Sequence, residues 1–285
     1  MKANKMVMIR NIIQGDNLEV IKHFADYSVD LIYIDPPWNT GKIQKKITKK
    51  FDQDDDGPVK GFGGKRYNVE VVNEVSYDDR FENYLGFLKP RLVEAYRLLE
   101  HNGSFFIHIN QNEEAYVKIM LDKIFGRDNF MRQIIHSWDY GGKTKKNWSL
   151  KHSAILWYAK DRNNYTFNYN EIDRVCYKAP KLVSHHKRVE GKVPTAVWDL
   201  GIVGTNSKEK EEYPSQKPLK LLERIIKVHS NPFGLVMDFF AGTGTCAEAA
   251  VKNGRQFYMI DNNPVAIETM KKRLAFCEPK IVKIT

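Results

Sequence analysis

Cysteine is scarce in this chain of 285 residues. The three present, Cys176, Cys246 and Cys277, are odd in number and widely spaced, which excludes a disulfide framework. No His/Cys/Asp spacing suggests a zinc site, and the adjacent pair His185-His186 does not supply one, so no metal is expected. Long hydrophobic runs are lacking too, none approaching the roughly 18 residues of a membrane-spanning helix. The N-terminus carries charge but no apolar core, so no export signal is expected. No segment repeats. What these absences leave is a reduced, cytoplasmic protein without a membrane partner.

Hydrophobic residues make up 42% of the chain, enough for a core, and the length suits one large α/β domain with an appendage or two small domains. The net charge of +10 is unevenly spread. Between Gly141 and Lys192 there are 12 basic residues against 4 acidic ones; between Lys42 and Arg66 there are 8 against 4. The remainder is slightly acidic, at −2. A localised basic surface beside a near-neutral scaffold points to a polyanion, most simply nucleic acid.

The chain is organised around Val29–Gly41. Val29, Leu31, Ile32, Tyr33 and Ile34 form a short apolar run that predicts a strand buried on both faces. Asp35 ends it, and Pro36 and Pro37 stop it from continuing because neither can donate a ladder hydrogen bond. Ligands of open α/β sheets sit at such strand ends. There the Asp35 carboxylate and the Pro36 carbonyl could both accept from a planar amino group, while Trp38 could stack on the ring that carries it.

The rest of the chain alternates strand and helix. Strands are expected at Val7–Ile13, Ser104–Ile109, Met131–Trp138, Ser153–Tyr158, Leu235–Asp238 and Gln256–Ile260. Helical spacing appears at Leu18–Ala25, at Phe81–Leu99 (with Pro90 expected to kink or split it), at Val117–Ile124 closed by Gly126, after Pro218, after Gly244, and from Pro264 to Phe276. Thr40–Ser76, polar and studded with lysine and glycine, is expected to be a long loop able to close over a ligand. Asn163–Val193 mixes aromatic and basic residues without periodicity, as an inserted recognition segment would. The alternation predicts a doubly wound, mostly parallel α/β sheet.

A second site-forming stretch follows the Leu235–Asp238 strand. Gly242 and Gly244 let the backbone approach a nucleotide at a helix N-terminus, and Asp261, 19 residues after Gly242, ends the next strand where an acid takes ribose hydroxyls. With Ala247 the loop also fits a dinucleotide fingerprint. An NAD-type oxidoreductase is therefore one alternative, and a non-catalytic DNA-binding protein another.

Taken together, Gly15-Asp16-Asn17-Leu18, Asp35-Pro36-Pro37-Trp38-Asn39-Thr40-Gly41, Tyr213-Pro214-Ser215-Gln216-Lys217-Pro218 and Asp238-Phe239-Phe240-Ala241-Gly242-Thr243-Gly244-Thr245 resemble the ordered motifs of β-class DNA amino-methyltransferases. Gly103–His108 and His152–Lys160 resemble strands of that family. Trp38 stands where many members carry Tyr, Phe239 where Pro is usual, and Asp261 where Glu is commoner; none of these removes a required functional group.

The resemblance implies a seven-stranded Rossmann-like methyltransferase sheet and S-adenosylmethionine as cofactor. It implies transfer of a methyl group to the N6 amine of an adenine flipped out of double-stranded DNA, adenine being preferred because Asp35 heads a motif in which cytosine-N4 members more often carry Ser. Cytosine N4 is the alternative base, and RNA stays open as a substrate since neither motif distinguishes the sugar. Asp35, Pro36, Pro37 and Trp38 would be catalytic. Asp16, Asp35, Pro37, Lys217, Phe240, Gly242, Gly244, Thr245, Asp261 and Asn263 would line the cofactor pocket. Lys42, Lys45, Lys46, Lys143, Lys145, Lys146, Lys178, Lys181, Lys187 and Arg188 would face DNA. Residues 1–138 would form the catalytic-motif half, including the basic loop 40–76. Residues 139–200 would be the target-recognition segment, including core strand 153–158, and residues 201–285 the cofactor-binding half. A homodimer and a cognate restriction endonuclease are the further partners expected.

Overall fold

The computed structural model describes residues 8–142, 144–204, 207–211 and 213–284. Strands β1 (Arg10–Gln14) and β2 (Val29–Ile34) flank a single helical turn, α1 (Asn17–Ile21). A ribbon follows, β3 (Lys42–Gln53), β4 (Val59–Lys60) and β5 (Arg66–Asp79), before α2 (Tyr84–Leu98) and β6 (Leu99–Ile109). Next come α3 (Glu114–Phe125), β7 (Phe130–Ser137), β8 (His152–Ala159), the short α4 (His185–Glu190) and β9 (Val197–Asp199). The C-terminal part holds α5 (Leu219–His229), β10 (Leu235–Asp238), α6 (Thr245–Lys252), β11 (Gln256–Asp261), α7 (Pro264–Arg273) and β12 (Lys280–Lys283).

Among the described residues the main sheet has nine strands in the order β12-β1-β11-β10-β2-β6-β8-β7-β9. The seven expected strands form its centre, and β12 and β9 extend the two edges. These two were not foreseen because four and three residues give too little pattern to read. Every pairing is parallel except those of β8 with β6 and β7. Alternation along each strand divides the core in two. Ile13, Ile32, Ile34, Phe105 and Ile107 pack with α1, α2 and α3 on one face, while Ile12, Leu31, Tyr33, Phe106 and Met259 pack with α5, α6 and α7 on the other. Each fully buried Leu or Ile in these layers contributes about 1.5–3 kcal/mol. Helices on both faces cover both sides of the strands, which is why those strands read as unbroken apolar runs.

The strand order decides where a ligand can sit. From β2 the chain crosses through α2 to β6 on one side; from β10 it crosses through α6 to β11 on the other. β2 and β10 are neighbours, with Leu31 beside Val236 and Ile32 beside Met237. The crevice at their carboxyl ends is therefore the topological switch point of the sheet.

One expectation is corrected. Thr40–Ser76 is not a loop: β3 and β5 form a long antiparallel pair running from Lys42 opposite Asp79 to Gln53 opposite Tyr67, with a bulge after Thr48. Lysines and glycines hid the pattern, yet two strands that satisfy each other's ladder need no broad apolar face to exist. The ribbon also includes Glu70, Glu74, Asp78 and Asp79, so across residues 42–79 eight basic residues meet eight acidic ones and the local excess of positive charge disappears. Pro90 lies inside α2, which continues through it from Tyr84 to Leu98.

Candidate active site

Asp35 leaves the end of β2 into a cavity of about 590 Å³. The corner that follows is held at each residue. Tyr84 donates to the Pro37 carbonyl at 2.6 Å and the Asn110 side chain to the Trp38 carbonyl at 2.9 Å. Asn39 takes a left-handed conformation (φ 51°), which its short polar side chain tolerates. Its amide donates to Asp79 Oδ1 at 2.7 Å, while the Thr40 amide and hydroxyl donate to Asp79 Oδ2 at 3.1 and 2.5 Å. Asp79 ends β5, so the ribbon itself clamps the corner. Trp38 Nε1 donates to Asp35 Oδ1 at 3.2 Å, and the Trp38 ring lies 5.7 Å from that of His108. Buried His108 in turn meets the Tyr33 hydroxyl at 3.0 Å and the Ser153 hydroxyl at 2.6 Å. Burial drives the His108 pKa well below its usual value, so the ring is neutral.

The opposite wall comes from the C-terminal part. Gly242 (φ 50°) and Gly244 (φ 73°) turn the chain between β10 and α6. A Cβ on Gly244 would meet Met270 Cγ at 2.8 Å, so this glycine serves the packing of α6 on α7 and stands behind the cavity wall. The Asp261 carboxylate accepts from the Gly242 amide and the Asn263 amide, both at 2.9 Å. Burial raises its pKa to about 6 despite those bonds. Asp16 caps α1 through the Leu18 and Glu19 amides at 2.9 and 3.2 Å. Asn17 then ties α1 to the glycine turn, donating to the Phe239 carbonyl at 2.6 Å and accepting from Arg91 at 2.6 Å.

Asp16, Asp35, Pro36, Pro37, Trp38, Lys217, Phe240, Gly242, Thr245, Asp261 and Asn263 all line this one cavity. Tyr33, Tyr77, Asp79, Arg91, Tyr213 and Asp238 line it too, beyond the expected site residues. Tyr213 and Asp238 belong to the motifs around Lys217 and the glycine turn, whereas Tyr77 and Asp79 reach the cavity only through the pairing of β5 with β3. Asp238 is buried and its carboxyl is held well above the usual range by desolvation and by the neighbouring acids Asp35 and Asp261. Among the residues expected to face DNA, Lys45 is paired with Glu74 at 2.7 Å and Lys46 donates to the Glu211 carbonyl. Lys42, Lys145, Lys146, Lys178, Lys181, Lys187 and Arg188 are exposed, and Lys143 lies outside the described residues.

The profile of the DNA methylase family matches residues 29–272, which spans both walls of the cavity. The chain belongs to this family. The methylase is 31% identical over 273 residues to the DNA adenine methyltransferase YhdJ of Escherichia coli K12, covering 93% of this chain and 82% of that one. It is 30% identical to the Type II methyltransferase M.HpaI of Haemophilus parainfluenzae, covering 94% of this chain and 74% of the relative. Its fold matches the crystal structure of the M1.HpyAVI–SAM complex with a TM-score of 0.62 at 21% identity, over 94% of this chain and 99% of the other. Among the described residues of the methylase, no helix is long and apolar enough to cross a membrane.

Proposed function

We propose that this methylase transfers the methyl group of S-adenosylmethionine to the N6 amine of an adenine flipped out of double-stranded DNA. The observation that carries the reading is that an acid-Pro-Pro-Trp corner and a glycine turn with its strand-end acid line a single cavity at the switch point. The names of the relatives, adenine methyltransferase among them, support the choice of base.

The residues fit the cofactor. The cavity volume, about 590 Å³, falls within the ~300–1,000 Å³ of small-molecule sites. The Asp261 carboxylate, oriented by the Gly242 and Asn263 amides, retains acceptor capacity for ribose hydroxyls. Phe240 offers an apolar face beside the Asp261 carboxylate on the cofactor side of the cavity. Asp16, Asn263, Thr245 and the Gly242 backbone complete the holding set. When bound, the cofactor supplies the methyl group: its carbon–sulfur bond breaks as the carbon–nitrogen bond forms, the electron pair stays on sulfur, and S-adenosylhomocysteine leaves.

The chain's own residues act on the acceptor. An exocyclic amine is a weak nucleophile because its lone pair is delocalised into the ring. Hydrogen bonds from its two N–H groups to Asp35 and to the Pro36 carbonyl favour a tetrahedral nitrogen and localise that pair. Positioning and preorganised acceptors supply most of the rate. The methylated nitrogen is strongly acidic and gives its proton to solvent. Flipping the base costs a few kcal/mol, of which stacking on Trp38 returns about 1–3 kcal/mol.

In this reading residues 1–138 present the target base, residues 201–285 hold the cofactor, and residues 139–200 read the DNA sequence. Phosphates would be held by the exposed Lys42, Lys145, Lys146, Lys178, Lys181, Lys187 and Arg188. A second copy of the chain and a cognate endonuclease are the further partners, and co-purification from a native host tests both. Single-molecule sequencing of DNA from cells expressing the protein tests the activity. The expected result is N6-methyladenine at one motif, absent with Asp35→Ala, while that variant keeps its thermal shift with S-adenosylmethionine. Undiminished methylation by Asp35→Ala, or a modified cytosine in place of adenine, overturns the reading.

A further inference from the structure

Lys217 stands two residues before α5, in the stretch that leads from the recognition segment into the C-terminal part. Its Nζ donates to Asp35 Oδ2 at 2.5 Å and lies 4.6 Å from the centre of the Trp38 ring. Both side chains of the pair are largely enclosed, at 13% and 18% exposure. These two partners, the Asp35 carboxylate and the Trp38 face, are the ones that a flipped amino base requires.

We propose that Lys217 is a positioning residue that holds the place of the target amine, pairing with Asp35 over Trp38 until a base with an N–H donor displaces it. The inference rests on the reading of Asp35 as the acceptor for that amine, and it assigns Lys217 a role beyond the cofactor pocket.

Three observations favour it. An ammonium carries three N–H donors and no acceptor, so it satisfies a buried carboxylate as an amine does, with added charge. A cation over an indole face is held by the ring quadrupole, so both contacts are favourable at once. The surroundings of Asp35 offer no other cation among the described groups that perturb it. Asp79 on β5 and Asp238 on β10 are acids; Tyr33, Tyr77 and Tyr84 are neutral, as is buried His108. Burial pushes the Asp35 carboxyl up and Lys217 opposes that push.

Two consequences follow. Lys217 favours the ionised form of Asp35 against its burial and holds it turned into the cleft before DNA arrives. It also makes entry selective: a base presenting an N–H opposite Asp35 can replace the ammonium, whereas one presenting a carbonyl sets acceptor against acceptor and leaves a buried charge unpaired, which is strongly unfavourable. Buried Leu221 and Ile225 anchor α5, so displacement of the ammonium would be carried by the four-carbon stem of Lys217.

The test uses the full chain and duplex oligonucleotides carrying the motif found by sequencing. For Lys217→Met, the acid limb of kcat/KM for DNA against pH is expected to move to higher pH, because that ratio reports the enzyme in which the ammonium still pairs with Asp35. The loss relative to wild type is then at least tenfold at pH 6 and shrinks towards pH 9, with affinity for S-adenosylmethionine within threefold of wild type. For Lys217→Arg, the limb is expected to stay in place while kcat/KM for DNA falls severalfold at every pH, because a bidentate guanidinium is harder to displace from a carboxylate. Parallel profiles for Lys217→Met and wild type, with the change confined to KM for S-adenosylmethionine, overturn the proposal. If Lys217→Met fails to melt cooperatively, Lys217→Arg decides alone, and a wild-type kcat/KM for DNA in that variant overturns it. A wild-type protein that does not methylate adenine refutes the functional reading itself, so the two failures are distinct.

Discussion

Asp261 carries a conflict between folding and binding. Its pKa is raised to about 6, so the folded chain holds the proton more tightly than the unfolded one. Ionising it costs stability in the window from about 4 to 6, an effect of order 3 kcal/mol once fully ionised. The cost is absent below that window and fully present above it. Ribose hydroxyls need the ionised form as acceptor, so affinity for S-adenosylmethionine is expected to fall as pH drops below 6. Isothermal titration between pH 5 and 8 should give a steep acid limb in wild type, and that limb should vanish in Asp261→Asn. Asp79 makes a different demand. It is buried and accepts from the Asn39 and Thr40 amides and the Thr40 hydroxyl, so Asp79→Ala strands two amides at a left-handed turn. A loss of about 2–4 kcal/mol in thermal or urea unfolding is expected, with a greater fractional loss in kcat than in cofactor affinity. Nothing in the sequence singled out Asp79, because its role depends on pairing across the whole ribbon.

The central strands were legible element by element, and the ribbon was not. Val29–Ile34 and Leu235–Asp238 are bounded in the structure as their apolar runs indicate, since burial on both faces writes a continuous signal. The ribbon buries little beyond Val75 and is stabilised by its own ladder, which leaves lysine, glutamate and glycine where a strand would normally show apolar alternation. The glycine turn was legible as a turn, but its two glycines do different things. Gly242 lines the cavity, whereas Gly244 gives Met270 its room. Gly244→Ala combines a positive φ with a 2.8 Å approach to a flexible side chain, so a cost of about 1–3 kcal/mol is expected. If Met270 gives way, the melting curve shifts by a few degrees and affinity for the cofactor changes little. A loss of affinity without a change in stability would contradict this division of roles.

On the scale of the molecule, chemistry and recognition are expected to be separable. The catalytic cleft follows from strand order, because the switch point between β2 and β10 brings residues 35 and 261 to one cavity despite their distance in sequence. The basic excess lies elsewhere. With residues 42–79 balanced in charge, the net positive charge concentrates in residues 141–192. Lys145 and Lys146 sit exposed in the link between β7 and β8, at the end of the sheet where β2 also terminates, since β7 runs parallel to β2. Each phosphate neutralised contributes about −0.9 to the slope of log K against log salt. The double variant Lys145→Ala/Lys146→Ala should therefore lower the magnitude of that slope by about 1.8 and weaken binding alike for cognate and non-cognate duplexes. Affinity for S-adenosylmethionine and kcat at saturating DNA should stay as in wild type, because neither lysine lines the cleft. The same substitution on the ribbon at Lys45, already paired with Glu74, should leave the slope almost unmoved. An equal change from the two sites would mean that the ion pairs of the ribbon open on DNA, and the division between a catalytic body and a recognition segment would have to be redrawn.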